Sequence, residues 1–520
     1  MKKLALLSVS DKTGLVELAR TLIETFEFEI VSSGGTAQAI AAAGLPVTKV
    51  ADFTGSPEIL GGRVKTLHPR IHGGILGRPG LPADQADMAA NHIRAFDLVV
   101  VNLYPFEATI AQPDVTLPQA IEKIDIGGPT MVRAAAKNHA YVTILFNPAQ
   151  YAPYIQALTD GEGTVPQTFR ADCARQAFWH TATYDQAIAS YLTPDLTPDA
   201  SETEADLPER WTLTGTRRQT LRYGENPHQP ATWYQTGTVP TGWAAAELVQ
   251  GKPLSYNNLV DLEAARRIIS EFPANAPTAA VLKHTNPCGM AMADSLATAY
   301  ERAFAADSIS AFGGIVALNQ PIDAATATAM TKTFLECIVA PGCDGEAQAI
   351  LGKKGNLRVL LLADLLAGPK VAPKAIAGGV LVQTVDDAID DPSQWTVPTE
   401  RKPTTAELEE LLFAWRVVKH VKSNAIVVTK DRTTLGVGAG QMNRVGAVDI
   451  ALRQAGEAAT GAFLASDGFF PFDDSVRTAA AKGIGAIVQP GGSKRDQDSI
   501  DAANELGLVM VMTGIRHFLH

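Results

Sequence analysis

The sequence has 520 residues, 46% of them hydrophobic and 19% charged, with a formal net charge of −11. Such a length exceeds one ordinary hydrophobic core, so two or more domains are expected. The acidic balance argues against a general nucleic-acid surface, and no apolar run reaches the roughly 18 to 20 residues that cross a bilayer.

Along the chain, Leu4–Val9 reads as a buried first strand, too short and too quickly followed by a polar turn to be a signal segment, so a cytoplasmic protein is expected. Thr13–Phe26 has helical spacing of its apolar positions, Phe28–Val31 is a second strand, and Thr36–Ala43 a short helix closed by Gly44. Asp97–Leu103 (DLVVVNL) is continuously apolar, as in a parallel sheet covered on both faces, and Tyr141–Leu145 repeats the pattern. The segment Thr193–Arg210 is rich in Pro, Asp, Glu, Thr and Ser and reads as a linker. Strands resume at Ala279–Leu282, Gly314–Leu318, Val359–Leu362, Ala425–Val428 and Ala486–Val488, with no fixed-period repeat. The fold class is α/β, divided into a domain over residues 1–195, a linker over 196–210 and a larger region over 211–520 that is long enough for two subdomains.

Several turns carry chemistry. Ser10-Asp11-Lys12-Thr13-Gly14 and Ser32-Ser33-Gly34-Gly35-Thr36 each follow a strand and open a helix, which places N–H groups and hydroxyls around an anion. Neither is a Walker A loop, and each alone is also compatible with an ordinary N-cap turn. Arg63, Lys65 and Thr66 add two cations and a hydroxyl suited to a phosphate or a developing oxyanion, although a solvated basic loop has the same composition. Asn102 and Tyr104 stand at a strand end. Asp125-Ile126-Gly127 precedes a helix carrying Arg133 and Lys137 on one face. Tyr, Lys and Asp form a proton-transfer set that needs no metal.

Farther on, Lys283-His284-Thr285-Asn286-Pro287-Cys288-Gly289 follows a strand and puts a lysine beside a histidine. Pro287-Cys288 is not a zinc deaminase signature, because the second cysteine position is Ala291 and no upstream H-x-E exists. The four cysteines show no CxxC spacing, so free thiols and no structural zinc are expected. Further polar turns occur around Arg222-Tyr223, Asn258, Phe312-Gly313, Asn424, Arg444 and Phe469.

As a set, from SVSDKTGL near the start to RHFLH at residues 516–520, these motifs resemble the AICAR transformylase/IMP cyclohydrolase family over essentially the whole chain. The resemblance implies a methylglyoxal-synthase-like, doubly wound N-terminal domain and a C-terminal transformylase of two cytidine-deaminase-like subdomains without a metal. It implies formyl transfer from 10-formyltetrahydrofolate to AICAR, cyclisation of the product FAICAR to IMP, a homodimer, and no nucleic-acid or membrane partner. Carried over by position, Lys283 and His284 are the catalytic pair of transfer, and Lys65, Tyr104, Asp125 and Lys137 the catalytic set of cyclisation. Ser10, Lys12, Thr13, Gly14, Ser33, Gly34, Gly35, Thr36, Arg63, Thr66, Asn102, Ile126 and Gly127 become nucleotide contacts. Arg222, Tyr223, Asn258, Phe312, Gly313, Glu336, Asn424, Arg444, Phe469, Arg516, Phe518 and His520 become substrate or folate contacts. The resemblance departs at Leu519, where related bacterial sequences commonly carry arginine. The competing readings are a relative with a single activity and a non-catalytic nucleotide sensor. The Lys283-His284 pair and the Tyr104/Lys137 set count against the sensor, which has no use for them.

Overall fold

The computed structural model describes residues 2–112, 114–192, 210–237 and 239–520, so the expected linker over 196–210, Arg210 apart, lies outside the described residues. The chain forms two compact units, Met1–Trp211 and Thr212–His520.

In the first unit, β1 (Leu4–Val9), β2 (Glu29–Ser32), β3 (Thr48–Lys49), β4 (Leu98–Asn102) and β5 (Thr143–Leu145) form an all-parallel sheet in the order β3-β2-β1-β4-β5. Helices cover it, so the central strands are apolar throughout: Leu98 to Val101 are essentially inaccessible. The helix Leu15–Glu24 buries Leu15, Leu18, Ala19 and Leu22, the i, i+3, i+4, i+7 stripe that seats a helix on a sheet. Each large aliphatic side chain buried this way contributes roughly 1.5–3 kcal/mol.

In the second unit, β6 (Thr216–Leu221) and β7 (Ala231–Gln235) form a separate ribbon. An 11-stranded sheet follows, made of β8 (Glu247–Gln250), β9 (Thr278–Lys283), β10 (Asn286–Met292), β11 (Gly314–Leu318), β12 (Leu335–Ala340) and β13 (Arg358–Leu361). After a two-stranded hairpin, β14 (Val371–Ile376) and β15 (Gly379–Thr384), the sheet continues with β16 (Ile426–Lys430), β17 (Thr433–Gly438), β18 (Phe463–Ser466), β19 (Ala486–Gln489) and β20 (Val509–Met512). Its order, β20-β19-β18-β16-β17-β10-β9-β11-β12-β13-β8, contains a duplication. From the antiparallel β10–β17 junction the strands run 10-9-11-12-13 one way and 17-16-18-19-20 the other. Each half has a leading helix, Tyr256–Ile269 or Thr405–Val418, then a hairpin and three helix–strand steps. The likeness lies in element order and not in a residue pattern, so it leaves no fixed-period repeat in the sequence.

The sequence reading also left β10 inside a turn. Pro287 and Gly289 lower strand propensity, and they flank a register shift against β9. A Cβ on Gly289 would stand 1.8 Å from the Ala303 carbonyl oxygen, so the glycine admits the helix Leu296–Ala306 against the strand.

Candidate active sites

In the first unit, the strand order reverses between β1 and β4, and their carboxyl ends border a cavity of about 750 Å³. Doubly wound sheets hold ligands at such switch points. Ser10, Lys12, Ser33, Gly34, Gly35, Thr36, Arg63, Lys65, Thr66, Asn102, Tyr104, Asp125, Ile126 and Gly127 all line it. The helices Gly34–Ala42 and Gly127–Lys137 begin there, adding unpaired N–H groups and positive dipole ends. Gly62 leaves room for the Lys65 side chain where it crosses the loop: a Cβ there would meet Lys65 Cε at 2.6 Å. Its Nζ pairs with Glu58 at 3.3 Å, and Arg63 pairs with Glu122.

Not every lining residue is free to touch a ligand. Asn102 Oδ1 accepts from the Ser10 and Asp11 amides, so this side chain shapes the first loop. The buried Thr36 hydroxyl bridges the Val9 amide and carbonyl, both at 3.0 Å. Lys12 Nζ reaches the Val9 carbonyl and, at 3.2 Å, Thr36 Oγ1, and burial lowers its pKa. Asp125 accepts the Gly128 amide at 2.8 Å, and burial pushes its carboxyl above the ordinary range against that bond. Tyr104 stays open, 47% exposed.

Three expected positions fall outside the cavity lining. The Thr13 amide donates to Asp11 Oδ1, and Gly14 takes φ 68° at the N-cap of the helix Leu15–Glu24. Lys137 is exposed at the C-terminal end of Gly127–Lys137, about 15 Å along the axis from the end that borders the cavity.

In the second unit, Lys283 ends β9 and His284 opens the turn to β10. Lys283 Nζ donates to the carbonyls of Phe312 (3.2 Å) and Gly313 (3.0 Å). Phe312 is exposed and packs on Phe334, with ring centroids 5.5 Å apart. Asn286 links the turn to the other half of the sheet: its Nδ2 donates to the His284 carbonyl, and its Oδ1 accepts the Lys422 amide at 3.1 Å. There the Arg444 guanidinium, 7% exposed, binds Ser466 Oγ, Asp467 Oδ1 and Asn424 Oδ1. Arg444 is therefore turned inward in this chain, holding Asn424. Phe469 remains partly exposed beside this cluster, whereas Phe470 is fully buried.

Asn258 also makes bonds within the fold. It closes a capping box with Ser255, its Oδ1 accepting the Ser255 amide at 3.1 Å. Glu336 is ion-paired with Arg358 at 2.9 Å. Arg222 lies over the Tyr223 ring at 5.5 Å in the turn after β6, and Asn257 ties that turn to the helix Tyr256–Ile269 through the Glu225 carbonyl. Burial drives the Cys288 thiol to about 12, which leaves it inert as a nucleophile. All four cysteines are free, and among the described residues no group of three His, Cys, Asp or Glu side chains could hold a metal ion. A larger cavity, about 850 Å³, sits at the opposite ends of β9, β10, β16 and β17 and contains none of the expected residues.

The C-terminal segment is anchored mainly by backbone. Ser423 donates to the Leu519 carbonyl, Lys422 Nζ reaches the His520 carbonyl at 2.8 Å, and Arg516 covers Phe518 at 4.5 Å. Because residue 519 is held through its backbone, leucine there costs none of these bonds. Inside, His517 places Nδ1 on Asp386 at 2.6 Å and Nε2 on Asp390 at 3.4 Å, so both nitrogens donate only in the cation. Burial disfavours that cation, but the two carboxylates outweigh it and raise the pKa to about 9. The folded value lies above the unfolded one, so the contribution is complete below about pH 6.5 and is lost as pH rises through 9. A His517→Ala chain should therefore be less stable by on the order of 3 kcal/mol at pH 6, with the difference shrinking above pH 9 in urea titrations. A gap independent of pH would refute the doubly paired imidazolium.

The first unit thus offers a phosphate-suited cradle with acid–base groups and the second a lysine–histidine turn, which together define an enzyme with two separate sites for small anionic substrates. The AICARFT/IMPCHase bienzyme family matches residues 135–454, and an MGS-like domain matches residues 14–130. The chain is 68% identical over 520 residues to the bifunctional purine biosynthesis protein PurH of Nostoc punctiforme, and 68% over 521 residues to that of Synechococcus elongatus, covering 100% of each chain. A solved structure titled "Crystal structure of ForH" is 37% identical, covering 36% of this chain and 95% of that one at a TM-score of 0.34. The chain belongs to the AICARFT/IMPCHase bienzyme family. It transfers a formyl group from a folate-type donor to AICAR and cyclises FAICAR to IMP.

Proposed function

We propose that cyclisation takes place in the 750 Å³ cavity of the first unit and formyl transfer at Lys283 and His284 in the second, with 10-formyltetrahydrofolate as donor. This division assigns residues 1–195 to cyclohydrolase and 211–520 to transformylase. The observation that carries it is the convergence of Lys65, Tyr104 and Asp125 with two helix N-termini on one cavity.

Cyclisation is intramolecular, so orientation supplies much of the rate. The helix N-termini and the Ser10 and Ser33 loops hold the ribotide phosphate. The carboxamide nitrogen of FAICAR attacks its formyl carbon, Lys65 and Tyr104 stabilise the oxyanion, and Asp125 moves the proton as water leaves. In formyl transfer, the AICAR amine attacks the formyl carbon. His284 accepts its proton, relayed through the neighbouring carboxamide. Lys283 spends two of its three donors on the Phe312 and Gly313 carbonyls and keeps one for the tetrahedral oxyanion or the departing folate nitrogen.

The enzyme is a cytoplasmic homodimer in this reading. Four free thiols suit a reducing compartment. The β14–β15 hairpin, marginal alone in water, exposes Ile376, Val380 and Leu381 to a second copy. With 10-formyltetrahydrofolate and AICAR supplied, Tyr104→Phe should accumulate FAICAR, its cyclisation slowed by roughly 10²- to 10³-fold. IMP released at the wild-type rate would remove Tyr104 and its cavity from the reaction.

A further inference from the structure

The duplicated halves of the second unit share a detail that bears on chemistry. The first hairpin of each half turns through two left-handed, non-glycine residues. They are His284 and Thr285 (φ 52° and 64°) between β9 and β10, and Asp431 and Arg432 (φ 51° and 53°) between β16 and β17. Left-handed backbone costs an L-residue roughly 1–2 kcal/mol, and the β-branched Thr285 suits it least. A contact from outside the hairpin holds each turn. The Thr285 amide donates to Asp261 Oδ1 at 2.8 Å, and the Arg432 amide donates to Glu410 Oε2 at 2.7 Å. Both carboxylates lie in the second turn of the helix that leads into their hairpin, and both helices begin with a capping box. The same clamp therefore recurs at matching places in the two halves.

Lys430 ends β16 as Lys283 ends β9, but only the first turn carries a histidine. The His284 side chain is exposed, and among the described residues no hydrogen bond to another side chain fixes its ring. The imidazole is aimed by its backbone, which Asn286 holds at the His284 carbonyl and Asp261 holds one residue later. We propose that Asp261 is a positioning residue for formyl transfer: by fixing the Thr285 amide, it sets where the His284 imidazole stands against the acceptor amine. This rests on the reading of His284 as the proton acceptor. Asp261 hydrogen-bonds the turn and not the imidazole, and its carboxylate also lies within electrostatic reach of His284 and Lys283. Misplacement of a reacting group by an ångström costs up to about 10²-fold in rate.

The test uses the full-length enzyme, with kcat and KM measured for both transformylase substrates. Asp261→Ala should lower kcat by roughly 10²-fold while both KM values stay near wild type, because the substrate pockets are intact and only the acid–base group has moved. Asp261→Asn keeps an acceptor oxygen for the Thr285 amide and should restore most of the rate. Glu410→Ala opens the matching clamp at the turn that lacks the histidine, and should leave kcat close to wild type. A wild-type kcat in Asp261→Ala overturns the proposal. So do equal losses in Asp261→Ala and Glu410→Ala, or an Asp261→Asn enzyme as slow as Asp261→Ala. His284→Ala, assayed alongside, separates the two levels. Full turnover there removes the proton-acceptor reading itself, whereas an inactive His284→Ala beside an active Asp261→Ala removes only the positioning role.

Discussion

Replacing His284 with alanine is expected to lower kcat for formyl transfer by about 10²- to 10⁴-fold, the usual worth of a positioned acid–base group, while preformed FAICAR is still converted to IMP at the wild-type rate. The reason lies in the nucleophile. The AICAR amine shares its lone pair with the ring and the carboxamide, so attack must be coupled to proton removal. His284 is the titratable side chain that opens the β9–β10 turn, one residue beyond the lysine held at the Phe312 and Gly313 carbonyls. The variant should fold, since the bonds of residue 284 that shape the turn run through its carbonyl, which alanine retains. Folate binding should be little changed, so the loss falls on kcat and not on KM. Stopped assays resolving tetrahydrofolate and IMP check both halves at once. Near-normal tetrahydrofolate release would rule out His284 as the proton acceptor. A parallel loss of cyclisation would contradict two independent sites.

The parts of this arrangement that were legible in the sequence are those set by local pattern. DLVVVNL could only be a strand buried on both faces, and β4 is one; the two Ser/Gly turns after β1 and β2 do border a shared cavity. Contacts that depend on distant chain segments were not legible. Asn286 meets Lys422 across 136 residues, and nothing near either position announces the pairing. Asp261 reads as one more polar position on an amphipathic helix until the hairpin folds back on it. The bonds that Asn258 and Arg444 make within the fold were not legible for a common reason: a polar residue at a turn is as readily used by the fold as by a ligand. The capping box at Ser255 and the inward guanidinium at Arg444 are such uses. At Lys137, helical periodicity gives the face the residue occupies but not its distance along the helix from the cavity.

That inward guanidinium carries the second large effect. Arg444→Met should destabilise the second unit by about 3–5 kcal/mol, the cost of leaving one partner of a buried ion pair uncompensated. Asp467 is fully buried, and its remaining donors, the Ser423 hydroxyl and the Ala425 amide, are neutral. Methionine fills the volume of the arginine stem, so lost packing contributes little and the effect is chiefly electrostatic. Asn424 would lose the group that holds its Oδ1, and Ser423, bonded to both Asp467 and the Leu519 amide, would lose part of its anchorage to the C-terminal segment. Melting of the full chain, followed calorimetrically, should show the transition of the second unit lowered by on the order of 10 °C. Formyl transfer should weaken at temperatures where the protein is still folded, and cyclisation should persist. Adding Asp467→Leu to Arg444→Met should recover part of the stability, because removing both charges leaves neither stranded. A double variant less stable than the single would mean that Asp467 is held by its neutral donors, and that Arg444 contributes through packing and not through charge.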